Sequence, residues 1–278
     1  MKELFDHTSF NICKLTTTAY STSFSRGIKL LRKDIQPKIY AIYGFVRLAD
    51  EVVDSFHGYD QRALFDRLLE DYRHALEYKI SVNPVLNAFQ QIVHKYQLYD
   101  LVDRFMESMK MDLDLTNYTS EVQYKKYIHG SAEVVGLMCL TVFVNNDQIK
   151  YTELKPYAIK LGSAFQKVNF LRDIQDDMQR LGRIYFPNVD WNNFTEENKR
   201  EILMEIKDEF DEAYTGIRKL PESCKLGVFV AFNYYLGLWR KLCRKSSCQI
   251  LKKRTRINNA TKFCILQKSY LKYQLGMI

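Results

Sequence analysis

Apolar residues recur at three- and four-residue spacings along most of this chain, the signature of amphipathic helices. The pattern predicts helices over 36–55, 61–79, 84–97, 99–115, 121–144, 151–178, 196–219, 222–245 and 259–275. Few runs alternate with period two, and no Asn-Gly or Asp-Gly hairpin turn occurs, so strands are not expected. Helix starts are marked by Ser81, Asn83 and Pro84, by Thr195 with Glu196 and Glu197, and by Pro221. The longest stretch without a helical pattern is GRIYFPNVDWNNF, 182–194. With 5 prolines and 11 glycines spread thinly, nothing reads as a linker or a repeat, and one domain spanning 1–278 is expected. The predicted architecture is all-α, a single-domain helical bundle with a central cavity, where such bundles place metal or ligand sites.

Two predicted helices depart from the usual half-apolar, half-polar pattern. In YAIYGFVRLADEVVD, Tyr43, Arg47, Asp50 and Asp54 are spaced by four, three and four, which makes one narrow polar stripe on an otherwise apolar helix. In GSAFQKVNFLRDIQDD, Gln166, Asn169, Asp173 and Asp177 form a second such stripe, with Arg172 and Asp176 beside it. Taken alone, the first stripe also fits an exposed edge carrying an Arg47–Asp50 pair. Two stripes that both end in carboxylates four residues apart fit better with helices facing each other across a cavity.

Composition narrows the setting. No apolar run reaches the roughly 18–20 residues that cross a bilayer, and MKELFDHTSFNICK has no uninterrupted apolar core of a secretory signal. The six cysteines include no C-x-x-C pair, and most lie in apolar stretches, as reduced core cysteines do. A cytoplasmic protein is expected. The net charge of +8 is uneven: Glu222 is the last acidic residue, and twelve Lys or Arg follow it. Such an end suits a solvated surface, an anionic membrane, phosphorylated ligands or nucleic acid. No helix-turn-helix or aromatic-interleaved module accompanies it, so no nucleic-acid partner is expected.

Four aspartates around one cavity repel one another unless a cation joins them. Oxygen-only ligands select hard ions, and Mg²⁺ takes one or two carboxylates together with waters and substrate phosphates. Arg47 and Arg172 offer forked hydrogen bonds to phosphate oxygens. The residues therefore point to a Mg²⁺–diphosphate site. A di-iron site would need Glu-x-x-His pairs, and the chain has none; it also has no P-loop and no Gly-rich dinucleotide motif. A carbocation left by diphosphate loss needs a dry, aromatic pocket, with which 17 Phe and 19 Tyr are compatible.

These motifs resemble the squalene/phytoene synthase family of head-to-head prenyl synthases. YSTSFSRGIKLL (20–31), YAIYGFVRLADEVVD, YIHGSAEVVG (127–136), FQKVNFLRDIQDD and GRIYFP (182–187) occur in the family's order. The resemblance implies an isoprenoid-synthase type of helical bundle and a prenyltransferase. It implies that Asp50, Asp54, Asp173 and Asp177 bind Mg²⁺, with Mn²⁺ as a substitute, and that Tyr43, Arg47, Gln166, Asn169 and Arg172 contact diphosphates or the metal's waters. Ser21, Ser23 and Phe24 would line the entrance to the first substrate site. Arg183 and Tyr185 would sit on a flap over the cavity. Tyr235 and Arg254, with Arg256 as the alternative to Arg254, would complete the substrate contacts. Gly130, Ala132 and Gly136 either leave room for a prenyl chain or allow close helix packing. Glu51 stands where many relatives have a second Asp.

Overall likeness to bacterial phytoene synthases favours two molecules of geranylgeranyl diphosphate as substrates and phytoene as product. The alternatives are a C30 squalene or dehydrosqualene synthase using farnesyl diphosphate, and a non-catalytic relative. KSYLKYQLGMI is too short and too polar for the membrane helix of the NADPH-dependent class, so no NADPH is expected. The basic end leads to the expectation of peripheral contact with an anionic membrane.

Overall fold

The structure is a computed structural model. It describes residues 1–114, 120–178, 182, 183 and 185–278. All regular structure among them is helical, in the order α1 (Lys2–Tyr20), α2 (Thr22–Ile28), α3 (Gln36–Asp54), α4 (Gln61–Tyr78), α5 (Pro84–Tyr96), α6 (Tyr99–Asp114), α7 (Glu121–Ile128), α8 (Val134–Phe143), α9 (Gln148–Asp176), α10 (Glu196–Lys219), α11 (Glu222–Cys243), α12 (Ser247–Lys252) and α13 (Asn259–Gln274). Leu115, the last residue of the expected 99–115 helix, lies outside the described residues.

The local start signals operate as read. The Asn83 side chain accepts from the backbone N–H groups of Val85 and Leu86, and Pro84 fills the first turn. Thr195 and Asn198 cap each other reciprocally at the start of α10. Pro221 takes the capping position and α11 begins at Glu222. The expected helix over 121–144 is not continuous: a wider π turn, His129–Glu133, separates α7 from α8. The apolar spacing persists through such a turn, so periodicity alone does not reveal it.

Three helices have no counterpart in the periodic pattern. Along α1 the buried positions are Ser9, Cys13 and Thr17, small residues at helical spacing that do not register as apolar. Thr8, Ser9, Thr16 and Thr17 donate their hydroxyls to the carbonyl four residues back, which satisfies them within the helix. Helices α2 and α12 are too short to show a period. The cysteine expectation is corrected: all six are free, but Cys243, Cys248 and Cys264 are exposed. Burial pushes the thiols of Cys13, Cys139 and Cys224 up to about 12.

Helix α3 packs between α1 and α5, while α9 packs against α8 and α10, and α11 against α2. At Gly44 a Cβ would come 3.1 Å from Cys13 Cβ, which is why α1 can lie so close along α3. Phe45, next to it, is fully buried and stacks on Phe89 at 4.0 Å. This arrangement fixes the apolar side of α3 and leaves its polar stripe turned toward α9. No helix among the described residues is long and apolar enough to cross a membrane.

Candidate active site

A cavity of about 930 Å³ lies between α3 and α9, closed by parts of α2, α8, α10 and α11. Helix α9 runs along it. Leu154, Tyr157, Ala158, Leu161 and Phe165 line it first, then Gln166, Asn169, Arg172, Asp173 and Asp177. From Leu154 to Asp173 is 19 residues, about 28 Å of helix. One face of one helix thus passes from an apolar floor to a charged mouth.

Both polar stripes open on this mouth. Tyr43, Arg47, Asp50 and Asp54 come from α3 and face the Asp173 and Asp177 side. Ser21, Ser23 and Phe24 line the adjoining wall. Ser21 caps α2 by accepting from the Phe24 backbone at 3.1 Å. Phe24 touches Tyr43, Phe165 and Tyr235 at ring distances of 5.9, 6.1 and 5.7 Å, and Phe165 stacks on Tyr235 at 3.9 Å. An aromatic wall therefore begins directly beneath the charged groups.

The charges are paired both within and across elements. Arg47 donates to Asp50 at 2.6 Å and to Glu51, and its guanidinium lies 4.3 Å over the Tyr20 ring. Arg172 donates to Asp173 at 2.5 Å, and Arg254 pairs with the same carboxylate at 2.7 Å. Burial, and then the charges of Asp54 and Asp112, push Asp50 up to about 8 against the pull of Arg47. Burial, and then Asp173 and Asp54, push Asp177 up to about 8 as well. The carboxylates of the two helices therefore sense one another across the mouth. No three acidic, His or Cys side chains among the described residues form a ready cluster for an ion.

Arg183 departs from its expected place. It is buried rather than part of the cavity wall, and it pairs with Asp54 while donating to the Asp112 carbonyl at 3.0 Å. Its action on the mouth is through Asp54, from behind. Tyr185 does line the cavity, stacked on Phe170 at 3.9 Å. Ile184, between them, is outside the described residues. Among the small residues, Ala132 and Gly136 line the cavity, whereas Gly130 does not: a Cβ there would strike Ser108 Oγ at 1.8 Å, so it serves the packing of α6. Arg254 and Arg256 both reach the cavity.

The sequence reading missed Asp112, Tyr127, Ser131 and Lys262. Tyr127 donates to Asp112 at 2.7 Å, which ties α7 to α6 behind the aspartates. Asp112 had a signal, since Val102, Phe105, Met109 and Asp112 share the buried stripe of α6; a carboxylate at a core position is informative. Lys262 lines the mouth and donates to Thr22. Burial, then the neighbouring Arg26 and Arg172, lower its pKa. Asn169 Oδ1 and Arg47 Nε are buried without a hydrogen-bond partner among the described residues, leaving acceptor and donor capacity at the mouth.

The family described as Squalene/phytoene synthase matches residues 17–261. The chain belongs to the squalene/phytoene synthase family. It is 26% identical to the 15-cis-phytoene synthase of Synechocystis sp., over 96% of this chain and 86% of that one. It is also 26% identical to the 4,4'-diapophytoene synthase of Staphylococcus haemolyticus, over 67% of this chain and 65% of that one. A dehydrosqualene synthase solved in complex with ligand superposes with a TM-score of 0.80 at 22% identity, covering 96% of this chain and 98% of that one. As a squalene/phytoene synthase family member with this isoprenoid-synthase fold, the protein is a prenyltransferase.

Proposed function

We propose that this prenyltransferase joins two geranylgeranyl diphosphates head to head to give phytoene. The observation that carries the reading is the change along α9 from apolar floor to charged mouth in one cavity. Diphosphates belong at the mouth and prenyl chains along the floor. The volume, about 930 Å³, is at the upper end of small-molecule sites, roughly 300–1,000 Å³, as two long chains require.

The donor set suits a hard cation. Asp50, Asp54, Asp173 and Asp177 would hold Mg²⁺, or Mn²⁺ in its place, together with waters and diphosphate oxygens, so no cage of three carboxylates is needed. Bound there, the ion would neutralise charge on the departing diphosphate. Arg47, Arg172 and Arg254 then have partners to exchange, from carboxylate to diphosphate, with forked geometry suited to both. Tyr43 and the Asn169 amide add hydrogen bonds at the same end.

The diphosphate of the donor leaves with the electron pair of its C–O bond. The 2,3 double bond of the second molecule attacks the allylic cation, and loss of a proton gives a cyclopropylcarbinyl diphosphate. That intermediate ionises by losing its own diphosphate, rearranges and loses a second proton, with a released diphosphate or a tyrosine as the acceptor of each proton. Phe24, Phe165, Phe170, Tyr185 and Tyr235 supply aromatic faces and exclude water during the cationic stages. No step draws on NADPH. Thorough chelation should stop turnover and added Mg²⁺ should restore it; product formation that survives chelation contradicts the metal assignment.

The C30 reaction with farnesyl diphosphate is the second reading, favoured by the likeness to the diapophytoene synthase. It uses the same mouth and a shorter part of the floor.

A further inference from the structure

Helix α13 shows two unlike sides. Toward α11 it presents Ile265, Leu266 and Tyr273, which cover Leu226, Val230 and Tyr234. Asn233 donates to Ser269 at 3.1 Å, and Tyr273 donates to Glu222 at 2.7 Å. At 3.6 residues per turn, Phe263, Leu271 and Leu275 fall on the opposite side, with Tyr270 at its edge. Their exposures are 58%, 60%, 63% and 47%. Eighteen large apolar side chains are exposed among the described residues, and five of them, these four and Met277, lie within residues 263–278. Even scatter would place about one there, and such a concentration, unlike single exposed residues, marks an interaction surface.

Charge selects the partner. The stripe is interrupted only by Gln267 and Gln274 and is edged by Lys268 and Lys272, and no acidic residue follows Glu222. A second copy would bring the same lysines against these. An anionic bilayer answers both the apolar stripe and the lysine edge, as it does for helices that lie in the membrane interface. The position of α13 adds a consequence. Lys262, in its first turn, lines the cavity mouth and holds Thr22, so the start of α13 stands at the mouth.

We propose that the outward face of α13 docks this enzyme on anionic lipid, with Phe263, Leu271 and Leu275 entering the interface. Delivery of an apolar product from the mouth to that lipid rests on the function proposed above; the docking itself does not.

The test is co-sedimentation of the purified full chain with vesicles of phosphatidylcholine alone, or with about 30 mol% phosphatidylglycerol. Binding should be at least about tenfold stronger to the anionic vesicles and should weaken with salt. The double variant Leu271→Glu/Leu275→Glu should lose that binding while turnover in detergent micelles stays unchanged. Lys268→Gln/Lys272→Gln should reduce the preference for anionic lipid and serves if the first variant folds poorly. Equal binding by wild type and both variants, or no binding by wild type, overturns the proposal. So does a concentration-dependent dimer that the same variants abolish, if vesicles are not bound. A wrong prenyl substrate would alter the product in detergent and leave sedimentation as it is.

Discussion

At its mouth the cavity is lined by Asp50, Asp54, Asp173 and Asp177, braced by arginines from three elements, whereas toward its floor it meets Leu140, Phe143, Leu154, Ile217 and Leu220. The mouth is costly. Burial and mutual repulsion raise Asp50 and Asp177, and only ion pairs make such a cluster tolerable in the fold. The floor contributes stability through apolar contact and has no such conflict. The difference separates two properties of the enzyme. On the proposed function, charge placement at the mouth would govern whether diphosphate leaves, and depth at the floor which chain fits.

The largest expected effect is on the mouth. Asp50→Asn or Asp173→Asn removes a charge and keeps the shape, so turnover should fall by at least about a hundredfold while circular dichroism remains that of the wild type. Near-normal turnover in either variant would leave the mouth without the chemistry assigned to it. Next comes the support behind the mouth. Arg183→Met removes the cation that pairs with Asp54 and faces Asp112, and stability should fall by about 3 kcal/mol, read from the denaturant midpoint. A change below about 0.5 kcal/mol would show the pairing to be incidental.

A change at the floor should act differently. Ala158→Phe fills the apolar half of α9's cavity face and should cut the C40 reaction at least about tenfold more than the C30 reaction. Equal losses on both substrates would mean that Ala158 does not measure chain length. The smallest effect concerns pH. Asp50 and Asp177 are raised to about 8 in the fold, against about 3.9 in an unfolded chain. Their contribution is therefore fully present below about pH 4 and is lost as pH rises toward 8. Chelated protein should melt a few degrees lower at pH 8 than at pH 6, and added Mg²⁺ should raise the melting temperature more at pH 8. An Mg²⁺ shift that is equal at both pH values contradicts the carboxylate assignment.

The mouth was legible because it violates the ordinary helix pattern. Aspartates four apart inside apolar helices have few explanations, and both stripes reach the cavity. The supporting layer was less legible. Asp112 stands out only as a carboxylate on the buried stripe of α6, and the family resemblance that puts Arg183 on a flap says nothing of its partners Asp54 and Asp112, 129 and 71 residues earlier in the chain. Lys262 comes from a helix whose relation to the mouth depends on how α11 and α13 pack. The Thr-rich α1 escaped because Ser9 and Thr17, small polar residues, occupy two of its three buried positions. The floor is assembled from single side chains on many helices, so its depth has no local signature.

The most direct measurement is the mass of the product. Purified protein would receive Mg²⁺ with either geranylgeranyl or farnesyl diphosphate, without and with NADPH. The account predicts a C40 hydrocarbon from geranylgeranyl diphosphate that does not depend on NADPH. A C30 hydrocarbon from farnesyl diphosphate alone, or no product from either substrate, would contradict it.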